Sequence, residues 1–433
     1  MRFQMTARTG HPDFLDLPWE TPLEAWDNER LVEVPRGIHR HVVRFVQYGG
    51  EDVPEGEDRL YVLKELPRRY AEREYRFLRH LRGEGVPVVE VVGVVSHRVD
   101  AAGEPLQAVL ITEHLRWSLP YRLLFLRRSA RELREPMLDA LVDLLVRIHL
   151  VGFAWGDCSL SNTLFRRDAG RLAAYVVDTE TGELHPELSR GQRESDVETA
   201  IERCAGELFD LQAQGVLSPE ADPAELGEEL RERYVRLWDE LTREERFTAD
   251  ERYRIHDRLR RINELGYDVG ELELVGEHGG DGRDVRMKLH VVEPNRHRRL
   301  LRERVGVDAQ DEQARRLLND IANFGAWLAS DWNRPVSDAE IARHWYDRSY
   351  LGALANIPDE FRDRREDPQL FLEILDHWHW LSECQGRDVD LYASARDYAD
   401  SVLRFQPAEA VVADVEIDAD ASDLDTLDGD TAE

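Results

Sequence analysis

The stretch from Ile148 to Glu180 constrains this chain more than any other. It reads I-H-L-V-G-F-A-W-G-D-C-S-L-S-N-T-L-F and then R-R-D-A-G-R-L-A-A-Y-V-V-D-T-E. An apolar helix ends near His149, and a tight Gly-containing turn presents Asp157, with Asn162 following shortly after. A short strand over Thr163–Arg166 turns at Asp168-Ala169-Gly170 and returns over Leu172–Val177, ending on Asp178 and Glu180. Two carboxylates and an amide are thus delivered to the ends of one hairpin. Such a set can hold a divalent cation and a nucleophile against a triphosphate.

Bulk properties narrow the setting. At 433 residues the chain has room for two or three domains, because single cores rarely grow past about 250–300 residues. No apolar run reaches the roughly 18 residues a membrane span needs, and Met1–Glu20 is polar and proline-containing, without a signal core. Cys158, Cys204 and Cys384 have no paired spacing, which points to a reduced cytoplasm. The net charge of −31 argues against nucleic acid or anionic membrane as a partner. Part of that charge is local: Glu409–Glu433 holds ten Asp or Glu and no Lys or Arg, the composition of a disordered acidic tail. Of 57 basic residues only Lys64 and Lys288 are lysines. A chain that uses Arg for ordinary surface charge gives a lysine at a strand end more weight, because an ammonium is a compact point charge that an Arg fork does not reproduce.

Along the chain, residues 1–28 form a leader of little periodicity, with Trp19 and Trp26 packing it onto a neighbour. Strand-like runs follow at Leu31–Val34, His41–Tyr48 and Leu60–Lys64. Pro67 opens a helix over Arg68–Arg82 that carries Glu74. Val88–Val95 and Gln107–Thr112 complete a five-stranded sheet with one helix. Helices then dominate: a basic one over Leu124–Arg134, an apolar one over Pro136–Leu150, and one over Glu194–Gln212 with Ala200, Cys204 and Leu208 on one face. Asp222-Pro223-Ala224-Glu225, Thr248-Ala249-Asp250-Glu251 and Ser337-Asp338-Ala339-Glu340 read as capped helix starts. Glu271–Val275 and Val285–Val292 read as a β-hairpin around the Gly-rich turn His278–Gly282. A basic island at Arg296–Arg304 precedes further helices. The expected organisation is a leader (1–28), a sheet-rich unit (29–113), a helical unit (114–247), a mostly helical C-terminal domain with a β-hairpin (248–405) and the acidic tail (406–433).

The chemistry-bearing set is Lys64, Glu74, Asp157, Asn162 and Asp178. Lys64 would neutralise phosphate oxygens while Glu74 pins its ammonium; Asp157 would accept or orient a hydroxyl proton; Asn162 and Asp178 would ligate Mg²⁺. Phosphoryl transfer needs positioning and charge neutralisation more than covalent chemistry, so a set this small suffices. W-G-D-C-S-L-S-N-T-L-F resembles the catalytic loop H-[RG]-D-x-x-x-x-N-x-L of the protein-kinase-like superfamily. E-Y-R-F-L-R-H-L-R-G-E-G-V-P-V-V-E-V-V is similar to the helix and fourth strand of its bacterial branches, which include the lipopolysaccharide (Kdo/WaaP) kinases. The resemblance covers roughly residues 30–215, and the remainder resembles a bacterial domain of unknown function. It implies an α+β, bilobal protein-kinase-like fold, with ATP and Mg²⁺ as cofactors. The implied activity is transfer of a phosphoryl group to a hydroxyl of a sugar, glycolipid or other small molecule, a protein acceptor remaining open.

This sequence also departs from the family pattern. The glycine-rich loop is reduced to Gly37 in R-G-I-H-R-H, Trp155 stands where the family has His, and the Asp-Phe-Gly triplet is Asp178-Thr179-Glu180. Small-molecule kinases carry similar triplets whose second carboxylate can serve the metal, which makes Glu180 a secondary ligand candidate. The thin loop and Trp155 favour the alternative, a pseudokinase scaffold that binds nucleotide or partners without turnover; the retained Lys64, Asp157, Asn162 and Asp178 favour catalysis. Elsewhere, His377-Trp378-His379-Trp380 suits packing better than metal binding, since residues two apart do not share a helix face. The arginines near Arg296 suit intramolecular ion pairs, Cys158 fills space, and Lys288 carries no assignment.

Overall fold

A computed structural model describes residues 3–32, 41–49, 58–122, 124, 130–219, 222–243, 245–248, 253–265, 267–276, 284–294, 296–406 and 408–409. The chain is α+β and divides into two compact units, one built from residues up to Ala71 with Val92–His114, the other from Glu72–Val91 with Leu115–Ala410.

The first unit is an antiparallel sheet. Its strands are β1 (Gln4–Ala7), β2 (Leu31–Val32), β3 (Val42–Tyr48), β4 (Arg59–Leu66), β5 (Val91–Ser96) and β6 (Ala108–Glu113), in the order β1-β5-β6-β4-β3-β2. Five of these are the strands read from the sequence. The sixth, β1, comes from the leader, which shows no strand alternation there. It pairs with β5 through Ala7 opposite Gly93, where a Cβ on residue 93 would lie 2.6 Å from the Thr6 carbonyl oxygen. The glycine lets this edge strand seat. Residues 14–26 then cover one sheet face. Trp19 and Trp26 are buried there as expected, with Phe14 edge-on to Tyr61 and Tyr48 at 5.1 and 5.2 Å.

The pin for this cover is Arg98. Its side chain is wholly buried and donates to the carbonyls of Trp19 (2.9 Å), Thr21 and Gln107 (3.0 Å) and to Glu65 Oε1 (2.7 Å). Glu65 also accepts from the Leu23 amide. Burial holds the guanidinium below its ordinary range, against the pull of Glu65. One cation thus donates to two carbonyls of the irregular leader and ties them to Gln107 and Glu65 of the sheet unit.

In the second unit, helix α1 (Arg68–Gly83) continues from the first, and a bridge joins the segment after it to β10, defined below. Helix α2 (Ala130–Leu150) is followed by β7–β11: Ser118–Pro120 (before α2), Phe153–Ala154, Thr163–Asp168, Arg171–Val176 and Glu183–Leu184. Val88 lies in register with Val176, and Val89 N and Val176 N donate to Val176 O and Pro87 O. Helix α3 (Arg190–Ala213) starts at a Ser189–Gln192 capping box, and α4 (Pro223–Thr242) starts on Asp222, whose side chain accepts from Ala224 N and Glu225 N. The Asp222 and Ser337 caps lie where the sequence puts them. Thr248 closes strand β12 (Glu245–Thr248), residues 249–252 of that expected helix start lie outside the described residues, and α5 is described over Tyr253–Glu264. The expected hairpin is β13 (Tyr267–Gly276) with β14 (Asp284–Pro294), and β12 joins it as a third strand. The turn at 278–282, residues 125–129 of the basic stretch, Gly37 and residues 410–433 fall outside the described residues.

The remaining helices are α6 (Arg296–Val305), α7 (Asp311–Asp331), α8 (Asp338–His344), α9 (Leu351–Leu354), α10 (Asp367–Gln385) and α11 (Leu391–Ser401). They share a core around Trp345, Tyr350 and Phe371. Arg298 and Arg304 form ion pairs with Asp308 and Asp338, the role expected of the basic island. His377 Nε2 bonds Asp397 at 2.7 Å, while the adjacent Trp378 and His379 pack edge-on. Glu409 differs from its reading as part of an acidic tail: it is buried, accepting from Arg167 (2.7–3.0 Å) and pairing with Arg365 (3.1 Å). Two cations compensate its charge, so one tail residue is held where composition alone predicts solvent. Among the described residues no helix is long and apolar enough to cross a membrane.

Replacing Arg98 with Ala is expected to cost about 3–5 kcal/mol, because Glu65 loses the cation that pairs with it and the Trp19, Thr21 and Gln107 carbonyls each lose a donor. Urea melts should register that loss, and limited proteolysis should then cut within residues 14–26 first.

Candidate active site

The turn carrying Asp157 is built against α3. Helix α2 runs into Gly152, which has φ +78°; a Cβ there would meet the His185 carbonyl oxygen at 2.1 Å. That clearance allows β8 to pair with β11. Beyond it, three donors converge on the buried carboxylate of Asp196. Trp155 N and Gly156 N lie 2.7 Å from Oδ2 and Oδ1, and His149 Nε2 lies 3.0 Å from Oδ2. His149 Nδ1 lies 2.7 Å from Tyr234 OH. Burial alone would raise the Asp196 pKa, but His149 and the two amides outweigh it and hold the carboxyl below its usual range. Charge-assisted bonds of this kind contribute about 1.5–3 kcal/mol each.

The loop then folds back on itself. Leu160 N and Ser161 N donate to Glu207 on α3, at 2.6 and 3.1 Å. Asn162 N donates to Ser159 Oγ (3.2 Å) and Thr163 Oγ1 to Ser159 O (2.8 Å). Burial pushes the Cys158 and Cys204 thiols well up, so both are packing groups rather than nucleophiles, as expected of Cys158.

Asp157, Asn162 and Asp178 are brought together. Asn162 Nδ2 donates to Asp157 O at 3.0 Å and to its Oδ2 at 3.2 Å. This commits the amide nitrogen, while the amide oxygen accepts no hydrogen bond from any described residue. Val177 N donates to Asn162 O (3.1 Å), which sets Asp178 one residue beyond that link. Trp155 Nε1 donates to Asp178 O at 2.6 Å. Trp155, the departure from the family's His, is thus a fully buried strut beneath the Asp178 segment. Glu180 N donates to Asp178 Oδ1 (2.8 Å) and orients that carboxylate, while Arg73 on α1 donates to the Glu180 carbonyl. Arg203 Nε lies 3.2 Å from Asp157 Oδ1 in a solvent-exposed pair.

This donor set fits Mg²⁺. A hard cation takes oxygen ligands, and Mg²⁺ is usually held by one or two carboxylates together with phosphate and water rather than by an all-protein cage. The Asn162 amide oxygen and the oriented Asp178 carboxylate are of that kind. Among the described residues no group of three or more His, Cys, Asp or Glu could hold a metal alone.

Glu74 is buried on α1. Lys64 is half-buried on β4, opposite Val43 and Leu110. Asp196, His149, Glu207 and Arg203 were not singled out from the sequence. Asp196 had a usable signal: it lies one turn before Ala200, Cys204 and Leu208 on the same helix face, and a carboxylate on a buried face demands partners.

The far end of the β9–β10 hairpin is gripped by the helices after residue 300. Asp168 at its tip caps α7, accepting from Gln313 N (2.7 Å) and Glu312 N (3.1 Å). Ala169 N donates to Gln369 Oε1 (2.9 Å), Tyr175 OH bonds Gln310 Oε1 (2.6 Å), and Arg166 pairs with Glu366. Burial pushes Asp168 up to about 7; the two amide bonds oppose the shift and the charges of Asp311 and Glu312 add to it.

With this geometry in place, comparison with known proteins gives the class of the segment. Residues 56–204 match the Lipopolysaccharide kinase (Kdo/WaaP) family. Residues 236–403 match a domain of unknown function, DUF4032. The chain therefore carries a segment that matches the lipopolysaccharide kinase family, followed by one that matches that domain, the succession its sequence resemblance implies. Lys64, Glu74, Asp157, Asn162, Asp178 and Glu180 all fall inside the first match, and Gly37 falls outside it. The chain is also similar to a solved structure described as "WaaP in complex with acyl carrier protein", with 17% identity, 54% of this chain and 99% of that chain covered, and a TM-score of 0.32. No curated protein matches the chain.

The Asp168 value sets a pH prediction. The folded chain keeps this proton to about pH 7, whereas an unfolded Asp releases it near about 3.9. Its stabilising contribution is therefore complete below about pH 4 and lost as pH rises through about 7. Between pH 5 and 8 the wild type should lose about 2 kcal/mol relative to Asp168→Asn, which stays neutral. Paired urea titrations at the two pH values check this; a pH-independent difference between the proteins would contradict it.

Proposed function

We propose that the chain is an ATP- and Mg²⁺-dependent kinase. Its reaction would transfer a phosphoryl group to a hydroxyl of a sugar, glycolipid or other small molecule, and a protein hydroxyl is the other acceptor class the same chemistry serves. The observation that carries this reading is the locked pair of Asp157 and Asn162 beside the oriented carboxylate of Asp178. The match to the lipopolysaccharide kinase family supports a sugar as the acceptor class. Three free cysteines favour a reducing, cytoplasmic setting.

In this reading Asp157 accepts or orients the proton of the incoming hydroxyl, and the Asn162 amide N–H holds the plane of its carboxylate. The Asn162 amide oxygen and Asp178 would hold the cation, with Glu180 next in reach along the chain. Bound Mg²⁺ would supply charge neutralisation on the phosphate oxygens. Lys64, with Glu74 as its partner, is assigned the phosphate-facing cation, and Gly37 the remnant of the phosphate-covering loop; both assignments rest on the sequence resemblance. Trp155 and Asp196 act through the loop they hold and are positioning residues.

One observation favours a second reading, a nucleotide-binding scaffold without turnover. Arg203 already occupies Asp157. Exposed ion pairs of this sort are worth only about 0–1 kcal/mol, so an arriving acceptor displaces Arg203 at little cost, and the catalytic reading stands as the better one.

Radiolabelled γ-phosphate transfer in host-cell extract, together with thermal shifts, tests the assignment. Asp157→Ala is expected to lower transfer by about 10²–10⁴-fold while keeping ATP-dependent stabilisation. Asp178→Ala should lose the Mg²⁺-dependent part of that stabilisation. Equal inertness of wild type and Asp157→Ala with ATP binding intact would favour the scaffold. Absence of any ATP-dependent shift would sink both readings.

A further inference from the structure

Away from the site just described, the second unit contains a cavity of about 610 Å³. Its walls come from α2, strand β10, α4 and the start of α7. That volume lies within the range of small-molecule sites, about 300–1,000 Å³. The cavity is polar where a packing defect would be apolar. Arg147 on α2 is nine-tenths buried, with Nε on Asp143 Oδ2 at 2.6 Å and its guanidinium 4.8 Å from the centre of the Tyr267 ring. Among the described residues its Nη1 has no hydrogen-bond partner. Asp311, at the start of α7 and also in the lining, accepts from His297 at one oxygen (3.1 Å), while Oδ1 has no partner among the described residues. Burial disfavours the Arg147 cation, yet Asp143, Tyr267 and Asp311 together hold its pKa above the ordinary range. Arg147 therefore stays charged and is influenced by Asp311 without forming an ion pair with it.

Buried polar atoms are almost always satisfied, and exceptions cluster where an unseen ligand, water or function belongs. Here one guanidinium nitrogen lacks an acceptor and one carboxylate oxygen lacks a donor, on two residues that line one cavity. The other charged groups that line it are engaged. Arg233 pairs with Glu135 and Asp139, Asp168 caps α7, and Arg171 lies 4.0 Å from Glu312. Arg236 is exposed and stands at the rim.

We propose that this cavity is a second binding site, distinct from the phosphoryl-transfer site. Its ligand is a small molecule with an anionic group for Arg147 and a hydrogen-bond donor, hydroxyl or ammonium, for Asp311. Bare polyanions are poorly matched, because carboxylates outnumber guanidinium groups in the lining. One wall is β10, the return strand of the hairpin that ends on Asp178, so an occupant rests on the element that presents the metal ligand.

Calorimetric titration of the full chain without nucleotide tests this with three kinds of probe. Glycerol 3-phosphate carries hydroxyl donors, serine carries an ammonium, and inorganic phosphate serves as an anion with neither. Saturable binding of glycerol 3-phosphate or serine, tighter than that of inorganic phosphate, is expected, and the better of the two identifies the donor class. Arg147→Met should weaken it by about tenfold or more. Because that change removes a buried cation and can impair folding, Ala173→Phe provides a second variant that fills the cavity from β10 and leaves every charge in place; it should also weaken binding. Asp178→Ala should leave the titration unchanged, which separates this site from the metal-binding one. No binding of any probe at about 10 mM would mean the two open atoms are satisfied by water alone and would overturn the proposal. Binding unaffected by Ala173→Phe would overturn it too.

Discussion

The carboxylate of Asp196 is the interaction on which the second unit's chemistry depends. A turn that exposes a catalytic carboxylate must leave its own backbone amides without secondary-structure partners, and buried amides without acceptors are costly. Asp196 takes two of them, Trp155 N and Gly156 N, and takes His149 from the end of α2 as well. Helix α3 thereby fixes where α2 stops, how the turn leaves it and where Asp157 is presented. Glu207, further along the same helix, repeats the device for Leu160 and Ser161. One helix supplies the anions that replace a missing backbone ladder.

From that turn the constraint passes into the β9–β10 hairpin, which is held at both ends. At the base, Asn162 is bonded to Asp157, Val177 to Asn162, and Trp155 to Asp178. At the tip, Asp168 caps α7, and Arg166 and Arg167 reach Glu366 and Glu409. The helices that match a domain of unknown function therefore grip the strand pair that carries the proposed metal ligands. A single buried contact of this kind adds little, but bidentate Arg167–Glu409 with Arg365 behind it forms a network, and networks resist opening better than isolated pairs. This gives the C-terminal helices a physical link to the site without requiring any chemistry of their own.

Much of this was legible in the sequence because local signals and tertiary outcome agree. The five strands of the first sheet, the helix carrying Glu74, the Asp222 and Ser337 caps and the 163–177 hairpin all follow from alternation, periodicity and cap residues. What was not legible depends on partners distant in the chain. Strand β1 has no alternation of its own and exists because Gly93 leaves room for it. Arg98 reads as an ordinary surface residue until the leader folds over it. Glu409 belongs by composition to an acidic tail, and Arg167, more than two hundred residues earlier, decides otherwise. Strand β12 shows no alternation that predicts it, and exists through its pairing with β14. At the site, Asp157, Asn162 and Asp178 lie on one local loop-and-hairpin pattern, whereas Asp196 required knowing which face of α3 is buried.

The central claim is that the loop and hairpin together present Asn162 and Asp178 to a nucleotide-bound cation. Electron paramagnetic resonance of Mn²⁺, substituted for Mg²⁺, reads that arrangement without requiring an acceptor or turnover. The account predicts that the full chain alters the Mn²⁺ signal strongly only when ATP is also present, and that Asp178→Ala abolishes the change while Asp157→Ala preserves it. A Mn²⁺·ATP signal that is the same with and without the protein, or one that is equally perturbed by Asp178→Ala, would contradict it.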